Sequence, residues 1–188
     1  MNVQRLLRRS GLAIASTVLM VSLVAAPVPH GTALACQSHP AAAAIAPDEP
    51  VPFYEGLRAA HYPITTRSDT AQQYFNQGLL LAYGFNHAEA ARSFRAAIAA
   101  DDTCALCHWG LAYVLGPNIN APMEPNAVSP AWRAIQQAIA RSDRATPKER
   151  ALIQATAERY AADPHRDRGP LDVAYARALG QVHRQYPD

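Results

Sequence analysis

Apolar positions along the second two-thirds of this chain recur every three to four residues, the spacing of one helix face, and no segment of useful length alternates with the two-residue period of a strand. The pattern predicts six helices, over about 70–84, 87–100, 103–115, 130–142, 147–162 and 170–185. Three of them carry plain apolar faces: Trp132, Ile135 and Ile139; then Ile153, Thr156 and Tyr160; then Leu171, Tyr175, Leu179 and Val182. Two have start signals. Ser129 can cap a helix with Pro130 at its first position, and Thr146-Pro147-Lys148-Glu149 is a capping box with Pro again first. The expected fold class is all-α, with antiparallel helix pairs stacked as a short solenoid.

A repeat is written into the first three helices. Tyr74, Gln77-Gly78, Leu81, Ala90, Phe94, Ala97 and Asp101-Asp102 fall at the offsets of a tetratricopeptide (TPR) repeat, whose period is about 34 residues. The best copy covers 71–104, and a second starts at 105, where Tyr74 superposes on His108, Gly78 on Ala112 and Leu81 on Leu115. Gln77 stands where Leu is usual and Asp102 where Pro is usual. Small residues at Gly78, Ala90 and Ala112 let paired helices approach, with Phe94 filling the space between them. In such pairs the first helix lines a concave groove, here through Gln72, Phe75 and Leu79, then Leu106, Trp109 and Tyr113. Trp109 and Tyr113 are one turn apart and can present adjacent rings to a protein or peptide partner; the blander alternative is that Trp109 is core.

The second copy is interrupted at 116–125 by a segment with three prolines, either a connecting loop or part of a binding face. At the other end, the last helix has an apolar face that still needs a partner, so the chain is expected to be the N-terminal part of a longer protein. Upstream, residues 1–35 have the form of a signal peptide: Arg5, Arg8 and Arg9, an apolar run from Gly11 to Ala26, and Ala33-Leu34-Ala35 as cleavage site. Residues 36–52 are an Ala/Pro-rich tether, and 53–188 form the TPR-like helical domain, with Phe53 to Ser68 as its N-terminal cap. The expected location is exported, periplasmic or secreted, with a membrane anchor only if Cys36 is lipidated. Losing the three leader arginines takes the formal charge from +2 to −1, and no basic run follows, which removes electrostatic support for a nucleic-acid partner.

One motif competes with the scaffold. Cys104-Ala105-Leu106-Cys107-His108 has the spacing of covalent haem c attachment, with two thiols for the vinyl groups and His108 for the iron. Met123 or His87 would then be the second axial ligand. The same cysteines, with His108 and His87, suit Zn or Cu, and in an oxidising compartment Cys104 and Cys107 can form a local disulfide. Against haem, Cys107 and His108 occupy repeat positions that normally face the neighbouring helix. No Gly-rich phosphate loop, G-x-S-x-G elbow or H-E-x-x-H pattern occurs, so the expectation is a scaffold without enzymatic activity and without a resident cofactor.

The stretches Gln72-Gln73-Tyr74-Phe75-Asn76-Gln77-Gly78, Phe85-Asn86-His87-Ala88-Glu89-Ala90, Arg92-Ser93-Phe94, Cys104 to Gly110 and Gly116-Pro117-Asn118-Ile119-Asn120 together resemble a group of exported bacterial TPR-like proteins of unassigned role. The similarity runs from about Tyr62 to Met123 and continues weakly to Asp188. Members of that group are usually longer, and the position of His108 is often Tyr among them, so the resemblance implies that the Cys-x-x-Cys-His match is fortuitous.

Overall fold

The computed structural model describes residues 50–57 and 61–187, all within one compact unit. The expected leader at 1–35, Cys36 and the tether up to residue 49 lie outside the described residues. Six α-helices follow: α1 (Asp69–Tyr83), α2 (His87–Ala100), α3 (Ala105–Leu115), α4 (Val128–Ala140), α5 (Pro147–Ala157) and α6 (Arg168–Gln185). Short 3-10 turns at Pro125–Ala127 and Ser142–Arg144 lead into α4 and α5, and no strand forms among the described residues. Each helix packs on the next, and α3 also touches α1 and α5. None of the described helices is long and apolar enough to cross a membrane.

Local chemistry explains most boundaries. The Ser68 hydroxyl accepts from Ala71 N at 3.1 Å to start α1. Thr146 and Glu149 form the expected reciprocal box at the start of α5. Glu149, only 4 % exposed, does more than cap. Its carboxylate also accepts from Thr65 N and Thr65 Oγ1, both at 2.6 Å, and so ties the N-terminal segment to α5. The α1–α2 turn is a Schellman closure, with Asn86 N donating to Leu81 O and Phe85 N to Ala82 O. Phe85 stands in the left-handed position usually given to glycine, at φ 59°. So short a turn makes α1 and α2 antiparallel neighbours.

Two boundaries differ from expectation. Ser129 does not cap α4: the preceding 3-10 turn runs directly into the helix, which begins at Val128 without a side-chain cap. Meanwhile α5 ends at Ala157 instead of about 162, because the next residues turn back onto α3. Tyr160 Oη donates to Ala112 O at 2.5 Å, while the Arg159 guanidinium donates to Tyr113 O at 3.5 Å and also to Pro117 O. These contacts satisfy carbonyls at the end of α3 and place a cation at its negative pole.

Phe94 of α2 is the packing centre. It is fully buried, edge-on to Phe75 at 5.6 Å between centroids, and it rests on bare glycine backbone from two helices. A methyl added at Gly78 of α1 would lie 3.0 Å from the Phe94 ring, and one at Gly110 of α3 would lie 2.3 Å from it. The two glycines therefore set how closely α1 and α3 approach α2.

Candidate functional site

A groove of about 410 Å3 opens where α1, α3, α5 and α6 converge. Four of the six residues expected to line a groove meet there: Phe75, Leu79, Trp109 and Tyr113. The Trp109 and Tyr113 rings are 5.4 Å apart and 7° from parallel, as their one-turn spacing allows. Trp109 is both wall and core, being 9 % exposed with Nε1 donating to the buried Thr156 hydroxyl at 2.7 Å. Phe75 forms the floor, 6.5 Å from Trp109 and 6.3 Å from Tyr62 between centroids.

The other two groove candidates are elsewhere. Leu106 is 1 % exposed in the core, because its side of α3 faces neighbouring helices. Gln72 holds the N-terminal segment: its Oε1 accepts from Ile64 N at 3.0 Å and its Nε2 donates to Tyr62 O at 2.8 Å. Gln77, the departure from the repeat pattern, does the same one turn later. It accepts from Tyr54 N at 2.8 Å and donates to Pro52 O at 3.0 Å and to Ser93 Oγ at 3.1 Å. An amide replaces leucine there because two backbone groups must be satisfied in a buried position.

Sequence spacing missed the rest of the lining: Tyr62, Tyr83, Lys148, Leu152 and the α6 face of Tyr175, Leu179, Val182, His183 and Tyr186. The apolar face of α6 had been visible, but its destination had not. Burial pushes the Tyr62, Tyr113 and Tyr175 phenols above the ordinary tyrosine value, and the Glu149 carboxylate adds to the effect at Tyr62. The groove is thus partly dehydrated and aromatic. No carboxylate lines it among the described residues, and Lys148 lies 5.8 Å from the Tyr62 ring centroid.

The cysteine motif sits apart from this groove, at the start of α3. Cys104 and Cys107 are joined as a disulfide, and both are buried, at 1 % and 0 % exposure. His108 Nε2 lies 3.1 Å from Asp102 O, so this nitrogen carries the proton and donates to the carbonyl. Burial pushes the His108 pKa down, and the nearby Arg141 charge also lowers it, with the bond to Asp102 opposing. His87 binds Val114 O through Nδ1 at the opposite end of α3, about 10 Å along the axis from Cys107. Met123 Sδ accepts from Arg168 at 3.3 Å. In this arrangement both sulfurs are covered and bonded to each other, the His108 Nε2 is engaged by Asp102 O, and His87 is held at the far end of α3. Nor does this arrangement gather Cys104, Cys107, His108 and His87 around one point for Zn or Cu.

The insertion at 116–125 is closed by Asn118 and Ala121, which exchange backbone bonds at 2.9 and 3.2 Å. It borders a second cavity of about 400 Å3 against α2, lined by charges of both signs, including Glu89, Arg92, Arg95 and Glu124. No family model, curated protein or solved structure matches the chain.

Proposed function

We propose that this chain is an exported, TPR-like scaffold of stacked helix pairs that binds a protein or peptide partner in its aromatic groove and performs no chemistry itself. The observation that carries the reading is the parallel Trp109 and Tyr113 pair, set in a groove wide enough for inserted side chains and bordered by the exposed Tyr83. Aromatic walls of this kind supply large contact area at low entropic cost, which suits anchoring of a partner's side chains. The contact of Phe94 with Gly78 supports the helix-pair reading, because Gly78 is one of the small positions that a repeat requires between paired helices. The signal-peptide form of residues 1–35 supports export.

The test is selection of displayed random peptides on the full chain, followed by affinity measurement with Tyr83→Ala and Tyr113→Ala. Both side chains line the groove without being fully buried, so the variants should keep their helicity and lose about tenfold in affinity. Selected peptides that bind both variants as well as the parent would place the binding face elsewhere.

A further inference from the structure

The cavity beside the insertion shares no lining residue with the aromatic groove. One wall is a single face of α2, on which His87, Ala91, Arg92 and Arg95 follow helical spacing. The other is the segment that interrupts the repeat, and it is stiff. Pro117, Pro122 and Pro125 restrict its backbone, Asn118 and Ala121 close its turn, and the Arg159 guanidinium holds Pro117 O. Together the walls border about 400 Å3 of space, within the range of small-molecule sites. The charged side chains that line it are not equivalent. Arg92 Nη1 donates to both Glu89 oxygens, at 2.9 and 3.1 Å, and Tyr54 Oη donates to one of them at 2.8 Å, so Glu89 and Arg92 neutralise each other. Arg95 and Glu124 carry opposite charges and line the same cavity, yet neither side chain has an ion pair or hydrogen bond among the described residues. His87 adds an acceptor: Nδ1 donates to Val114 O at 3.2 Å, which leaves Nε2 with a lone pair in the neutral ring.

We propose that this cavity binds a small zwitterion, a free amino acid or a short peptide with unblocked ends, holding its carboxylate on Arg95 and its ammonium on Glu124. Two opposite charges that share a cavity without pairing complement a ligand that carries both. A simple anion would meet repulsion from Glu124, and a simple cation would meet it from Arg95. The planar guanidinium fork of Arg95 matches a carboxylate, and the Glu124 carboxylate and His87 Nε2 are acceptors for an ammonium. The rest of the lining is mostly small and apolar, with Ala88, Ala91, Val114 and Ala121 among it, which suits a ligand with short side chains. The stiff insertion fixes the backbone that carries Glu124, so little ordering is lost on binding. Arg95 and Glu124 are both exposed, which keeps the attraction modest and sensitive to salt. The site does not depend on the aromatic groove, and binding at one is separable from binding at the other.

The experiment is isothermal titration calorimetry of the full chain at low salt with alanine, dialanine and trialanine, each also with its amine acetylated or its carboxylate amidated. The unblocked series should bind, and its rank identifies the source: alanine tightest for a free amino acid, dialanine or trialanine for a peptide. Each blocked form should bind about tenfold more weakly than its parent compound. Arg95→Gln and Glu124→Gln replace exposed side chains and should keep the helical circular dichroism of the parent, while each weakens the unblocked compound by about tenfold. The decisive result is the match between variant and ligand end. In Glu124→Gln acetylation should cost nothing further, and in Arg95→Gln amidation should cost nothing further. The inference is overturned if no unblocked compound binds at millimolar concentration, if a blocked form binds as well as its parent compound, or if the cost of blocking an end is the same in both variants as in the unaltered chain.

Discussion

Gly110→Ala tests whether Phe94 sets the distance between helices. The added Cβ would sit 2.3 Å from Phe94 Cε1, 2.4 Å from Cδ1 and 2.8 Å from Cζ. Carbon atoms in contact prefer about 3.5–4.0 Å, so the ring or the helix must move by more than about 1 Å. The ring has little room to retreat, since Gly78 on α1 is already so close that a methyl there would lie 3.0 Å away, and Phe75 packs against the edge. Overpacking in a closed core costs about 1–3 kcal/mol, and a clash this deep belongs near the upper end. The better helix propensity of alanine returns up to about 1 kcal/mol. A net loss of about 2 kcal/mol is expected in urea unfolding followed by far-ultraviolet circular dichroism, with a midpoint temperature lower by roughly 5–10 °C. The diagnostic is a double-mutant cycle. In a Phe94→Leu background, itself destabilised by the smaller side chain, Gly110→Ala should cost almost nothing, giving a coupling of about 2 kcal/mol. Equal stability of Gly110→Ala and the parent, or a coupling near zero, would refute the reasoning.

Two further outcomes follow from single side chains. Tyr160 is pushed up to about 12 from 10.0, mainly by burial and with the Arg159 charge opposing, so its neutral form is favoured in the folded chain. Its contribution is therefore fully present below about pH 10 and is lost as pH rises through about 12, roughly 3 kcal/mol over that window. Urea midpoints measured across it should fall less steeply for Tyr160→Phe than for the parent, and parallel slopes would contradict the assignment. Phe85→Gly should stabilise the chain by about 0.5–1 kcal/mol in the same assay, because relief of the left-handed strain, about 1–2 kcal/mol, exceeds the extra chain entropy of glycine. A loss of stability would mean that the Phe85 ring, stacked on His87 at 6.3 Å, contributes more than its backbone costs.

The six helices were legible because their signals are local. Apolar residues at helical spacing, the Thr146 to Glu149 box and the short α1–α2 turn all act within a few residues of one another. Where the sequence reading failed locally, a distant partner intervened: α5 stops early because Arg159 and Tyr160 reach the carbonyls of α3. Gln77 read as a departure from a repeat, and its purpose became visible only when Tyr54 and Pro52 came to rest on it.

By itself, then, the sequence determined the all-helical class, the order of the helices, Gly78 as a small residue beside Phe94 and the adjacency of Trp109 and Tyr113, whereas the contact of Gly110 with Phe94 came only from packing. The groove was decided by tertiary structure. Its walls come from residues as far apart as Tyr62 and Tyr186, and Trp109 is oriented by Thr156 on another helix. Periodicity shows that α6 has an apolar face but carries no record of which surface that face will meet. That choice depends on the shape and charge left over when α1, α3 and α5 have packed, a property of all their side chains together and of no single stretch of chain.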